Sequence, residues 1–192
     1  MASNGTNFEQ FLQDFIKALN KSSIDYVLIG GLAVNYYGRP RSTLDADIII
    51  EKDFVKIREL QKCLIDNNFL VAEDEIIDAV NEGTHCSIFW NKDTLLRLDI
   101  KVPTRLLEEE ALINKRKTSV FGLNLFIQIP EEIITAKLIY GSDQDHDDAY
   151  GMILRLKDQL DYKLLEMLAK REKVFDKLSS LLEESKQFYN KK

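Results

Sequence analysis

The chain has 192 residues, 45% hydrophobic and 30% charged, an ordinary globular composition long enough for one sizeable core or a domain with an appended lobe. Its net charge of −6 argues against a broadly basic nucleic-acid-binding face. No apolar run approaches the roughly 20 residues needed to span a bilayer, no signal-peptide pattern opens the sequence, and Cys63 and Cys86 suggest neither a disulfide framework nor a zinc site, so a cytoplasmic protein without a membrane partner is expected.

Disorder is expected only at the polar ends, "MASNGT" and "YNKK". "TNFEQFLQDFIKALNK" spaces Phe8, Phe11, Leu12, Phe15, Ile16 and Leu19 as a helix does, with Thr6 and Glu9 as a capping box. "DYVLIGG" predicts a buried strand ending in a turn, and "LAVNYYG" a short helix closed by Gly38. Pro40 excludes ladder structure from "RPRST". "LDADIII" predicts a strand, and "EKDFVKIRELQKCLIDNN" a helix burying Phe54, Ile57, Leu60 and Leu64. "CSIFW" and "LLRLDIKV" form one predicted hairpin, and "KTSVFGLNLFIQIP" a second that turns at Gly122.

From Pro130 onward the strand signals stop. "PEEIITAKLIYG" opens with proline at a first helical position, and "DDAYGMILRLKDQL", "YKLLEMLAKRE" and "FDKLSSLLEESKQFY" continue with helical period. The expected fold is α+β: a small mixed sheet flanked by helices over residues 1–129, with a C-terminal helical lobe over 130–192 packed on it. The boundary rests on a change of period, not on a flexible joint.

Strand side chains alternate faces. Asp45 and Asp47 therefore share one face of "LDADIII" while Ala46, Ile48 and Ile50 take the other; in "LLRLDIKV", Arg97, Asp99 and Lys101 stand together opposite Leu98 and Ile100. Two carboxylates about 5 Å apart repel by roughly 3 kcal/mol at an effective dielectric of about 20. A strand tolerates this if the pair is solvated at a strand end, shares a proton, is bridged by an arginine, or holds a divalent cation. Acid-only ligation is the usual Mg²⁺ arrangement. Gly30 and Gly31, between a strand and a helix, leave backbone N–H groups open to phosphate or simply make a tight turn; neither a P-loop nor a dinucleotide fingerprint is present.

The set as a whole is more specific. A strand, Gly30-Gly31, thirteen residues, Asp45-x-Asp47 and the later strand acid Asp99 together resemble the DNA polymerase β-like nucleotidyltransferase superfamily. "GGLAVNYYGRPRSTLDADI" is most similar to the AbiEii/AbiGii-type nucleotidyltransferases, many of them toxins of toxin–antitoxin or phage-defence systems. "PEEIITAKLIYGSDQDHDDAYGMILRLKDQLD" resembles that group's helix lysine followed by D-x-x-D, matched by Lys137, Asp145 and Asp148. Where that group often has a basic residue before the acids, Ser142 and Gln144 stand here.

The resemblance implies transfer of a nucleoside monophosphate from an NTP to an acceptor, with release of pyrophosphate. Asp45 and Asp47 would bind two Mg²⁺ ions (Mn²⁺ being the alternative), and Asp99 would share one of them and help deprotonate the acceptor hydroxyl. Gly30 and Gly31 would hold the distal phosphates and Lys137 would neutralise the triphosphate, or else sit as a rim lysine on its helix. Arg39 and Arg41, flanking Pro40, are phosphate forks or solubilising charges. The toxin branch implies a tRNA acceptor and a cognate antitoxin protein; other branches modify small molecules. The alternative reading is a non-catalytic nucleotide-binding or regulatory partner that retains the fold. "INKRKTS" is the compact basic cluster near the sheet, His85 and His146 read as surface histidines, and Tyr36 and Tyr37 as packing residues or a base-stacking pair.

Overall fold

A computed structural model describes residues 7–38 and 40–190. Thr6, Arg39, the "MASNGT" end and the last two lysines lie outside the described residues. The chain forms two compact units, one from Met1–Leu32 and Ser42–Ile127, the other from Ala33–Arg41 and Gln128–Lys192.

The first unit opens with α1 (Asn7–Ser22), whose apolar stripe Phe11, Leu12, Phe15, Ile16 and Leu19 is buried as its spacing predicts. β1 (Tyr26–Ile29) runs straight into α2 (Gly30–Tyr37), so the expected turn is replaced by a helix that starts at Gly30 itself. β2 (Asp45–Ile50) follows, then α3 (Phe54–Asp66), β3 (Phe69–Leu70), α4 (Glu75–Glu82), β4 (His85–Trp90), β5 (Arg97–Lys101), α5 (Leu106–Asn114), β6 (Arg116–Val120) and β7 (Leu123–Ile127). The strands make one mixed sheet in the order β3-β4-β5-β2-β1-β7-β6. Both predicted hairpins form: β4 with β5, and β6 with β7. The second turns through Phe121 (φ 51°) and Gly122 (φ 76°), the doubly left-handed pair that matches strand twist in a two-residue hairpin.

Leu28, Ala46, Ile48, Ile50, Leu98 and Ile100 are buried on one face of the sheet. Trp90 shares that face, and Phe11 of α1 packs edge-on against it with ring centroids 6.1 Å apart. The buried Asp14 accepts hydrogen bonds from the Trp90 indole (3.2 Å) and the Lys92 ammonium (3.1 Å). On the opposite face, Val27 and Ile49 pack against Ala111 of α5, with Ile29 and Leu112 at the margin. α5 therefore roofs part of this face.

Phe54 does not join the core: it is 41% exposed, with the Lys52 ammonium 5.8 Å from its ring centroid. It is the first residue after the Asp53 cap, and Ile57, Leu60, Cys63 and Leu64 form the buried face instead. In the second unit, α6 (Pro130–Tyr140), α7 (Asp143–Leu156), α8 (Tyr162–Arg171) and α9 (Phe175–Asn190) continue the helical series, so α9 runs into the end expected to be disordered. α6 is buried along most of its length, Glu131 and Glu132 included, and Glu131 accepts the Asp161 N–H at 2.7 Å. The fold is α+β, as expected from the change of period.

Candidate active site

β2 and β5 are parallel neighbours, with Asp45 opposite Arg97 and Asp47 opposite Asp99. Paired residues project to the same side, so the three acids share one face with Arg97 and Lys101. Arg97 bridges two of them: one terminal nitrogen donates to Asp45 at 3.0 Å, and Nε donates to Asp99 at 3.1 Å. The Thr43 hydroxyl also donates to Asp45, and the Ser87 hydroxyl to Asp99 at 2.6 Å. An arginine bridge, one of the ways a strand tolerates clustered acids, is therefore in place. Ser87 and Thr43 escaped the sequence reading because a lone hydroxyl carries no spacing signal.

Asp47 lies deepest. Burial pushes its carboxyl up to about 6, and the charges of Asp45 and Asp99 push the same way. The Gly31 N–H and the Lys101 charge act in the opposite direction. Gly31, expected to offer its N–H to phosphate, gives it here to Asp47. Lys101 is itself tied to Glu108 of α5 at 2.6 Å.

Gly30 is required for a reason that its sequence position does not reveal. Its φ is +63°, and a Cβ there would lie 2.0 Å from Asp47 Oδ2 and 2.9 Å from Asp47 Cβ. Contact with the Cβ means that a rotamer change alone cannot relieve the clash. Gly30→Ala is therefore expected to lower stability by about 2 kcal/mol, combining left-handed backbone strain with displacement of Asp47. Urea unfolding measures it; a loss under about 0.5 kcal/mol would mean that the close approach does not exist.

The remaining predicted site residues lie in the second unit, Arg39 being outside the described residues. Lys137 on α6 contacts Asp145 (2.7 Å) and Asp148 (2.9 Å) of α7. Burial pulls the Lys137 ammonium down, but those hydrogen bonds and charges outweigh it and hold the group above the ordinary lysine value. Arg41 Nε donates to Asp148 at 2.9 Å, and its backbone is clasped by the Asn35 side chain. Asp145 and Ser142 form a reciprocal cap on α7. The Gln144 amide oxygen, in the orientation that satisfies it, accepts from Arg41 at 3.0 Å. Ser142 and Gln144 thus serve as a helix cap and an arginine acceptor. Tyr37 is buried and Tyr36 is 45% exposed, their rings edge-on at 4.9 Å. His85 is exposed, and His146 stacks on Tyr150 with ring centroids 6.3 Å apart.

Asp45, Asp47 and Asp99 offer oxygen ligands only, the donor type that Mg²⁺ takes. In the arrangement shown, Arg97 engages Asp45 and Asp99. Among the described residues no group of three or more His, Cys, Asp or Glu side chains is gathered closely enough to hold a metal ion. The same residues contain no helix long and apolar enough to cross a membrane.

No family model matches the sequence, and no curated protein matches it. Among solved structures, the chain is similar to an antigenic nucleotidyltransferase-like protein from Paracoccidioides brasiliensis: 19% identity over 92% of this chain and 93% of that one, TM-score 0.55. It is also similar to the antibiotic-resistance factor ANT(2″)-Ia in solution, with 13% identity over 95% and 98% of the two chains and a TM-score of 0.57. The same factor in complex with adenylyl-2″-tobramycin gives 14% identity over 88% and 98%, TM-score 0.58. The fold is therefore nucleotidyltransferase-like.

Proposed function

We propose that the protein is a metal-dependent nucleotidyltransferase of the AbiEii/AbiGii toxin type, transferring a nucleoside monophosphate from an NTP to an acceptor hydroxyl with release of pyrophosphate. The observation that carries this reading is the placing of Asp45, Asp47 and Asp99 on one sheet face by the β2–β5 register, beside the start of α2. The nucleotidyltransferase-like fold supports it.

Asp45, Asp47 and Asp99 would hold Mg²⁺, which when bound neutralises the triphosphate and stabilises charge on the attacking and leaving oxygens. Asp99 takes the proton of the acceptor hydroxyl as that oxygen bonds to the α-phosphorus and the bond to pyrophosphate breaks. Ser87 orients the receiving carboxylate. Gly30 and Gly31, at the α2 N-terminus, are the proposed contacts of the distal phosphates once the Gly31 N–H leaves Asp47, and Arg41 and Lys137 the proposed phosphate-binding cations. The toxin-type resemblance points to tRNA as acceptor and to a cognate antitoxin partner. The neighbour solved with adenylyl-2″-tobramycin points to small polyhydroxylated acceptors.

Labelled NTPs, Mg²⁺, total RNA and small polyols provide the test: label is expected to reach an acceptor with the wild type and not with Asp45→Asn or Asp99→Asn. Transfer that persists in both variants would overturn the assignment. The arginine bridge across Asp45 and Asp99 favours the second reading, a non-catalytic nucleotide-binding partner, which requires NTP binding without Mg²⁺ dependence and without product.

A further inference from the structure

Arg97 bridges two of the three proposed ligands, Asp45 and Asp99. Its guanidinium donates to Asp45 Oδ2 at 3.0 Å and, through Nε, to Asp99 Oδ2 at 3.1 Å and Oδ1 at 3.2 Å. These are oxygens that a divalent ion would need. Arginine has donors and no acceptor, and it does not lose its proton in proteins, so pH cannot remove it. Two cations cannot use the same lone pairs, and the Arg97 side chain, 38% exposed, has a path to solvent.

We propose that Arg97 is an internal counter-ion of Asp45 and Asp99 that a divalent cation must displace, and whose freed fork then grips a phosphate of the incoming NTP. The inference rests on the metal-dependent reading above. It makes Arg97 raise the ion concentration the site requires while strengthening nucleotide binding once the ion is in place, which couples the two ligands.

Free Mn²⁺, followed by electron paramagnetic resonance, is the probe, with ATP affinity then measured at saturating Mn²⁺. Arg97→Met is expected to bind Mn²⁺ about tenfold more tightly and ATP about tenfold more weakly than wild type. Arg97→Lys, a single point charge that cannot bridge both acids, is expected to fall between them. A residue that merely supports the fold would not move the two affinities in opposite directions. Equal or weaker Mn²⁺ binding in Arg97→Met, with binding still lost in Asp45→Asn, overturns the counter-ion role alone. If Arg97→Met does not fold, the same comparison with Arg97→Lys decides. Mn²⁺ binding absent from the wild type, or undiminished in Asp45→Asn, overturns the metal-dependent reading and this proposal with it.

Discussion

Asp47→Asn is expected to lower nucleotidyl transfer by about a thousandfold or more and yet to stabilise the protein above pH 6, the range in which the buried carboxyl is ionised. The loss of activity follows from removing a proposed ligand. The gain in stability follows from linkage. Asp47 has a folded pKa of about 6, raised from an ordinary 3.8. Between those values the folded chain holds more protons than the unfolded one, so this group's contribution is intact at low pH and declines as pH rises through about 6. Above that point the penalty is complete, on the order of 2–3 kcal/mol. Asparagine carries no charge and escapes it. Urea unfolding in chelator at pH 5 and pH 8 should show the variant ahead by about 2 kcal/mol at the higher pH and by less at the lower. A variant no more stable than wild type at pH 8 would mean that the Asp47 carboxylate is not desolvated as described.

Asp148→Ala is expected to destabilise the protein by about 3 kcal/mol. Its carboxylate, 5% exposed, receives Arg41 at 2.9 Å and Lys137 at 2.9 Å. Removing it takes the shared acceptor from two cations that are themselves largely covered, leaving Asp145 to Lys137 and the neutral Gln144 amide oxygen to Arg41. Asp148→Asn keeps the shape and one carbonyl acceptor, so an intermediate loss is expected. Chemical denaturation checks both; a loss below about 1 kcal/mol for the alanine variant would reduce the network to surface ion pairing.

Which acids share a face was legible from two-residue alternation, since Ala46 and Ile48 on one side leave Asp45 and Asp47 no other place. That Arg97 flanks Asp99 was equally legible. Its bridge to Asp45 was not, because it depends on the parallel register of β2 with β5, which are separated in the chain by two helices and two strands. The repulsion within Asp-x-Asp could be anticipated, but its concentration on Asp47 depends on local burial. α5 was missed because "LLEEEALIN" has no continuous apolar stripe and buries only Leu107 and Ala111. α4 was missed because no side-chain cap marks its start, where Asp74 takes a left-handed conformation. Lys137 with Asp145 and Asp148 was signalled by the family resemblance, whereas Arg41 with Asp148 joins residues 107 positions apart.

β2 is an interior strand, with β5, β4 and β3 to one side and β1, β7 and β6 to the other. Its amide hydrogens therefore have no rim from which to trade with deuterated water, and they can do so only when the unit opens as a whole. In a labelling time course the peptide bearing Asp45 and Asp47 should gain mass last, and those from β3 and β6 first. The acids thus ride on the slowest-breathing part of the sheet, and their spacing is lost only when the whole unit lets go.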